Sequence, residues 1–381
     1  MNNLLEDILV LDFSQFLSGP SASLRLADMG ARVIKIEKPV TGDICRMLYV
    51  SDVKLEGGES TIFHAINRNK ESYCADIKDS ASLEAVKKLI AQADVVLHNF
   101  RPGVMERVGL DYRQVKQLNP SVIYGEISGY GQCGDWKDLP GQDLLLQAVS
   151  GLTYLTGSQG QPPVPMGVAA ADIIAGTHLT QGVLAALLQR LQTGEGALIQ
   201  VSMLESLLDF QFEVLTCHLN DGYEKPVRSA VNGAHAYIAA PYGIYETADG
   251  YLAIAMAPVA RLGELLGSAE LGAYTDAGDW FTKRDEIKRI LKQLLLQKKT
   301  AEWLAVLEPA DVWCADVKRY DALVESEGYH LLDMEQWVVS DGKRVKTTRC
   351  PVRVDGQVLT SERGAPLLGE HNKRITEEFN L

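Results

Sequence analysis

The chain has 381 residues, with 37 basic side chains against 50 acidic ones for a formal net charge of −13; 46% of residues are hydrophobic and 23% charged. At the usual ~100–200 residues per domain this length predicts two domains, and the composition, that of an ordinary globular protein, excludes a collagen, a disordered tail and a disulfide scaffold. The acidic balance argues against general nucleic-acid binding, so an anionic ligand has to be met by a local basic cluster.

The first third alternates strand and helix patterns. Ile8–Phe13 is a short apolar run, Pro20–Met29 fits a helix stopped by Gly30, and Arg32–Glu37 is a second apolar run. Strand-like Tyr73–Ile77, a helix over Ser80–Gln92, Asp94–His98, helical stretches over Val104–Leu118 and Ser121–Ile127 follow. Short β-rich runs separated by helices predict βαβ units, and right-handed crossovers then give a doubly wound, Rossmann-like parallel sheet. Beyond Ser128 a Gly-, Asp- and Pro-rich loop spans Gly129–Gly141, and Asp172–Arg190 carries Leu179, Val183, Leu184, Leu187 and Leu188 at helical spacing. Leu198–Met203 reads as a strand, Leu204–Leu219 as one long helix and 221–239 as a linker. Pro241–Thr247 and Tyr251–Met256 flank Asp249-Gly250, a dipeptide suited to the positive φ of a tight hairpin turn. Helices near 280–296 and 300–308 complete a small α+β unit. The last segment carries Val338, Val339, Val345 and Val352 in short strands and ends in a helix. The predicted class is therefore α/β. A large domain begins over 1–220, a small α+β domain covers 240–324, and 325–381 returns to the large domain.

The six cysteines are scattered without CxxC spacing, and the seven histidines show no HExxH or paired spacing. Reduced thiols, no metal site and a cytoplasmic location are the expectation. The first residues lack a basic stretch followed by an apolar one, and no apolar run approaches the ~20 residues that span a bilayer, so no membrane role is expected.

Gly129-Tyr-Gly131-Gln-Cys-Gly134 is formally a GxGxxG after a strand. A dinucleotide fingerprint needs a helix opening at its last glycine, and Pro140 falls where that helix would run, so a glycine loop beside a pocket is the better reading. Glu37 sits where a Rossmann protein grips a ribose, but Ser14–Pro20 lacks the glycine spacing. Its plain role is a strand end. Asp172 stands among small residues in Gly167-Val-Ala-Ala-Ala-Asp-Ile-Ile-Ala-Gly176. Local sequence favours a helix N-cap, while the small neighbours leave room for a bulky substrate to reach the carboxylate. Lys38, Arg46, Lys70, Arg101, Arg107 and Lys137 recur at the ends of early elements, where ligands of doubly wound sheets bind; together they suit a phosphorylated ligand.

Taken together these stretches resemble class III CoA-transferases, the family of the formyl-CoA and carnitine CoA-transferases. The matching phrases are Val10-Leu-Asp-Phe with Gly19-Pro20, Leu26 through Pro39, Asn67-Arg-Asn-Lys-Glu-Ser72, Asn99-Phe-Arg-Pro-Gly103 and Asn119-Pro-Ser-Val-Ile-Tyr124. Ser128-Gly-Tyr-Gly-Gln132, Asp172, Pro241-Tyr-Gly243 and Leu368-Gly-Glu-His-Asn372 complete a series that spans nearly the whole chain in order. The resemblance implies an interlocked homodimer and Asp172 as the nucleophile of CoA transfer between an acyl-CoA and a small carboxylic acid. An aspartyl–acyl anhydride and an aspartyl–CoA thioester would be the intermediates, with coenzyme A entering as substrate and no cofactor bound permanently. By position it places Gln15 near the thioester carbonyl, and Lys38, Asn69, Lys70, Asn99, Phe100, Arg101, Arg107 and Lys137 in CoA-binding stretches. Departures matter too. The racemase branch relies on a histidine where this chain has Gln142, and glutamine cannot exchange a proton as imidazole does. The 2-methylacyl-CoA racemases and a CoA-binding protein without turnover are the alternatives. Ser229-Ala-Val-Asn-Gly-Ala-His235 holds a single glycine, where formyl-CoA transferases carry a glycine-rich loop, and Ala257-Pro258-Val259 replaces their frequent Gly-Asn-Asp.

Overall fold

In the computed structural model, which describes residues 4–48, 55 and 60–381, the chain divides into two compact units. The first is built from Met1–Leu146, Ala169–Phe210 and Leu332–Leu381, and the second from Gln147–Val168 and Gln211–Leu331. Residues 147–168, 211–220 and 325–331 therefore group with the second unit, not with the large-domain segments expected from sequence.

The first unit centres on a six-stranded sheet of β1 (Leu9–Asp12), β2 (Arg32–Glu37), β3 (Glu71–Cys74), β4 (Val95–His98), β5 (Ile123–Ser128) and β6 (Ala197–Ser202). All pairings are parallel, in the order β3-β2-β1-β4-β5-β6. This is the doubly wound Rossmann order, whose direction reverses between β1 and β4. Val10, Leu11, Val95, Val96 and Leu97 are fully buried, as unbroken apolar runs covered on both faces must be. The helices are α1 (Ser18–Asp28), α2 (Thr61–Asn67), α3 (Ser80–Ile90), α4 (Val104–Val108), α5 (Tyr112–Leu118), α6 (Asp143–Val149), α7 (Ala170–Thr193) and α8 (Met203–Phe210). Gly30, at φ 104°, ends the α1 turn as read from sequence. At 24 residues α7 is long and apolar enough to cross a bilayer by length and composition, a property the run of Ala, Gly and Thr between its leucines hides from inspection. Here it serves as a core helix, with Leu179, Val183, Ala186 and Leu187 buried. It lies so close to α1 that a Cβ on Gly176 would stand 2.1 Å from Ser21 Oγ and 2.7 Å from the Ser18 carbonyl oxygen, so only glycine fits there.

The C-terminal segment covers the free edge of β3. His371 N–H donates to the Ser72 carbonyl (3.2 Å), Ser72 N–H to His371 Nδ1 (3.2 Å), and Cys74 N–H to Asn372 Oδ1 (2.8 Å). The Leu368–Asn372 phrase thus pairs an exposed sheet edge, and the helix Asn372–Phe379 that it starts is tied down by ion pairs of Glu71 with Arg374 and of Arg32 with Glu378.

The second unit holds α9 (Phe212–Asn220), β7 (Gly243–Glu246), β8 (Tyr251–Ile254), α10 (Val259–Leu266), α11 (Ala269–Gly272), α12 (Ala277–Thr282), α13 (Arg284–Leu295), α14 (Thr300–Leu307) and β9 (Cys314–Asp316), with a β7-β8-β9 antiparallel sheet. The expected helix over Leu204–Leu219 is two helices, broken where Gln211 leaves helical geometry at φ −98°, ψ 12°. The hairpin is present, but neither Asp249 nor Gly250 has a positive φ. Instead a four-residue loop is closed by Thr247, whose N–H donates to the Gly250 carbonyl (2.9 Å) and whose Oγ1 accepts from Gly250 N–H (3.1 Å). Around the single-glycine stretch Ser229–His235, Asp285 Oδ1 accepts from Ser229 Oγ (2.7 Å) and Ala230 N–H (2.8 Å), and Arg284 donates to the carbonyls of Val227 and Ala236.

Candidate active site

Ligands of doubly wound folds bind beyond the carboxyl ends of the strands where the order reverses. Here that place lies between the β1–α1 turn, Ser14–Leu17, and the residues after β4, Asn99 and Phe100. Asp172 joins it from the first turn of α7. Ser18, at the start of α1, turns its N–H and hydroxyl toward this carboxylate, and both act to lower its pKa. Ser18 Oγ also accepts from Asn99 Nδ2 at 3.1 Å, which leaves the hydroxyl hydrogen available to Asp172. Two helix N-termini thus meet at one carboxylate, and their dipoles favour its ionised form.

Burial works the other way and prevails. Desolvation first, then the like charge of Asp143, push Asp172 up to about 6, against which the two Ser18 bonds pull it down. The alternative of Asp172 as a helix cap is resolved by geometry. Asp143 Oδ1 accepts from the Ala171 N–H (2.8 Å), so the cap of α7 comes from a residue 28 positions earlier, and the helix's own N-cap position, Ala169, makes no side-chain cap bond. That leaves the Asp172 carboxylate free of capping and poorly solvated.

Gln15 and Asn99 stand together at this site. Asn99 Oδ1 accepts the Gln15 N–H (2.9 Å) and its Nδ2 donates to the Gln15 carbonyl (2.7 Å). Asn99 is thereby a clamp on the turn. Phe100 follows, half-buried, stacked on His98 with ring centroids 6.0 Å apart, its N–H donating to His98 Nδ1 (3.3 Å). Lys38, Arg101, Arg107 and Lys137 are exposed on segments following β2, β4 and β5, and none makes an ion pair among the described residues. Lys70, Asn69 and Arg46 are instead taken up by the protein itself. Lys70 is wholly buried, its Nζ bonded to Asp12 (3.1 Å), Ser23 Oγ (2.7 Å), Asn67 Oδ1 (3.0 Å) and the Pro20 carbonyl (3.0 Å), so no donor of it remains for a phosphate. Burial would raise Asp12, but Lys70 and Lys35 outweigh it and hold that carboxylate ionised. Asn69 sits at φ 63° with Nδ2 on the Ala27 carbonyl (2.8 Å), which makes it a structural turn residue. Arg46 forms a two-pronged pair with Glu37 (2.8 and 2.7 Å), and that pair also explains Glu37 without a ribose.

The glycine loop keeps Gly131 and Gly134 at positive φ, and no helix opens after Gly134. It is tied to the sheet end through Gln132 Nε2 on Glu126 Oε1 (2.7 Å). Sequence reasoning missed Ser18 and Asp143 as partners of Asp172. Ser18-Gly-Pro20 carries a signal for the first, a helix start following a strand, whereas the second depends on tertiary packing alone. Among the described residues no group of three or more His, Cys, Asp and Glu side chains could hold a metal ion, and all six cysteines are free.

Comparison with known proteins places this site in a family. The family model for CoA-transferase family III matches residues 5–372. A succinate–glutarate CoA-transferase of Agrobacterium fabrum is 32% identical, covering 98% of this chain and 95% of its own length, and an acetyl-CoA:oxalate CoA-transferase of Acetobacter aceti is 32% identical over 98% and 95%. Among solved structures, a CaiB/BaiF family protein from Brucella suis superposes with a TM-score of 0.85 at 29% identity, covering all of both chains. With the Rossmann-ordered sheet, the desolvated aspartate at its switch point and a match from end to end, the chain belongs to CoA-transferase family III.

Proposed function

We propose that this enzyme moves CoA from an acyl-CoA to a free dicarboxylic acid by covalent catalysis at Asp172. The observation that carries the mechanism is the position of Asp172 at the switch point of the sheet, relieved of helix capping by Asp143, whose Oδ1 accepts the Ala171 N–H (2.8 Å), in surroundings that raise its pKa to about 6. The Asp172 carboxylate attacks the thioester carbonyl, the C–S bond breaks, and an acyl–aspartyl anhydride and CoA thiolate form. The thiolate attacks the aspartyl carbonyl, releasing the donor acid and leaving an aspartyl–CoA thioester. The acceptor carboxylate then attacks that thioester, and returning thiolate takes up the acceptor acyl group and frees Asp172. Each step exchanges activated acyl species of similar energy, which is the gain of covalent catalysis. The intermediates survive only where water is excluded.

The family resemblance supports Gln15 as the amide donor to the oxygen that becomes negative in these attacks. Lys38, Arg101, Arg107 and Lys137 supply cationic groups for the CoA phosphates, with Phe100 beside them, and CoA enters and leaves as substrate with no cofactor held permanently. Support for dicarboxylates comes from the relatives, which are named for succinate, glutarate and oxalate. We also propose a homodimer, interlocked as the family resemblance implies, working in a reducing cytoplasm. The test is an assay of CoA exchange across a panel of acyl-CoA donors and mono- and dicarboxylate acceptors. Turnover with dicarboxylates and its loss in Asp172→Asn are expected. Exchange restricted to monocarboxylates would overturn the substrate class, and activity in Asp172→Asn would overturn the mechanism.

A further inference from the structure

The turn that joins β1 to α1 has no regular secondary structure, yet side chains of other residues hold every backbone polar group of Ser14, Gln15 and Phe16. Ser14 N–H donates to Asp12 Oδ1 (2.9 Å) and its carbonyl accepts from Lys35 Nζ (2.7 Å). Both groups of Gln15 are taken by Asn99. Phe16 N–H donates to Asp43 Oδ1 (3.2 Å) and its carbonyl accepts the Cys45 thiol (3.4 Å). A surface loop ordinarily sends such groups to water. Phe16 itself lies at φ 61°, in the left-handed region that a bulky L-residue rarely adopts.

Asp43 is the part of this arrangement that no role yet described accounts for. It is buried, paired with the equally buried Lys35 at 2.8 Å, and its Oδ1 accepts from the N–H groups of both Phe16 and Cys45. Lys35 and Asp43 therefore grip the two ends of the turn while Asn99 grips its middle.

We propose that Asp43, acting with Lys35, is a positioning residue for CoA transfer: it holds Phe16 left-handed, so that the turn delivers the N–H and hydroxyl of Ser18 onto Asp172. This rests on Asp172 being the nucleophile. Asp43 does not touch the reacting atoms; it acts through the turn. Once the Phe16 N–H is released, the residue relaxes toward negative φ, α1 starts differently, and Asp172 loses its donors. Burial and the like charge of Asp143, both of which disfavour the ionised form of Asp172, then stand unopposed by Ser18.

The experiment compares Asp43→Asn with wild type and Asp172→Asn in steady-state CoA transfer across pH. Asp43→Asn removes the ion pair with Lys35 that keeps Oδ1 aimed at the Phe16 N–H, and so loosens that bond. We expect kcat to fall about tenfold or more, the KM for acyl-CoA to stay within about twofold, and the acid limb of the rate profile to move to higher pH. A purely structural role would leave that limb in place. If Asp43→Asn does not fold, the pair Phe16→Val and Phe16→Gly decides, since both remove the ring but only valine resists positive φ. The valine variant is then expected to lose kcat about tenfold relative to the glycine variant, with its acid limb raised. An unchanged kcat and acid limb in Asp43→Asn, or equal rates for the two Phe16 variants, would overturn the positioning role while the loss of activity in Asp172→Asn still stands. Turnover by Asp172→Asn would instead overturn the nucleophile on which it rests.

Discussion

A carboxylate that attacks a thioester has to be ionised and yet poorly solvated, and Asp172 is held between these demands. Its raised pKa sets the sign of two predictions. The folded chain keeps a proton on Asp172 up to about pH 6, whereas the unfolded chain releases it near the ordinary 3.8. Between those values the folded state binds more protons, so this residue's contribution to stability falls as pH rises and the loss is complete above about 6. Asp172→Asn removes the penalty. It is expected to stabilise the protein by about 1–3 kcal/mol at pH 7.5, with the gain shrinking toward pH 4, as read by denaturant unfolding. No gain at pH 7.5 would contradict the desolvated site. Asp143→Asn, whose amide oxygen can still accept the Ala171 N–H, removes only the like charge. The acid limb of the rate profile should move to lower pH, and an unmoved limb would mean that the Asp143 charge does not reach Asp172. Asp143 was invisible as a partner because its bond to Ala171, 28 positions away, leaves no periodic trace, and Ser18, 154 positions from Asp172, showed only as a helix start. Lys70 misled for a related reason: a lysine in a motif looks the same on paper whether its ammonium faces a phosphate or a buried aspartate.

At the scale of elements, legibility followed the strength of the hydrophobic pattern. The strands β1, β2 and β4 appeared as apolar runs because both faces of the sheet are covered, and α7 appeared through its leucine spacing. The third strand was read two residues late, over Tyr73–Ile77, because its buried Glu71 and Ser72 look like loop residues until Arg32, Arg374 and Glu37 are seen to satisfy them. The Asp-Gly turn misled similarly, since Thr247 closes that loop without any positive φ. The closeness of α7 to α1 was not legible at all, although it brings Asp172 to Ser18, and Gly176 is the residue that permits it. Gly176→Ala forces the helices apart near Ser18, and we expect a loss of about 1–3 kcal/mol in stability, beyond any gain in helix propensity, together with a lower kcat. An alanine variant with wild-type stability and rate would show that the close approach is dispensable.

For the whole molecule, the net charge of −13 is compatible with an anionic ligand because the free cations Lys38, Arg101, Arg107 and Lys137 stand on segments that follow the strands of one sheet. The acidic balance belongs to the rest of the surface. The protomer also leaves large apolar side chains uncovered: Leu191 on α7 is 82% exposed and Phe212 67%, and no residue of α9 is buried. Exposed apolar side chains of this size support the dimer proposed above, and light scattering coupled to size-exclusion chromatography should give twice the 41.8 kDa chain mass at micromolar protein; a monomer mass would contradict that dimer.

The central claim is that CoA becomes covalently attached to Asp172 in the course of transfer. Its most direct test is intact and peptide mass spectrometry of the enzyme quenched after mixing with an acyl-CoA and no acceptor. An adduct of the mass of CoA less one water is expected on the peptide containing Asp172, absent from Asp172→Asn and discharged by adding a carboxylic acid. An active enzyme that yields no adduct under these conditions, or one that carries it on another residue, would contradict it.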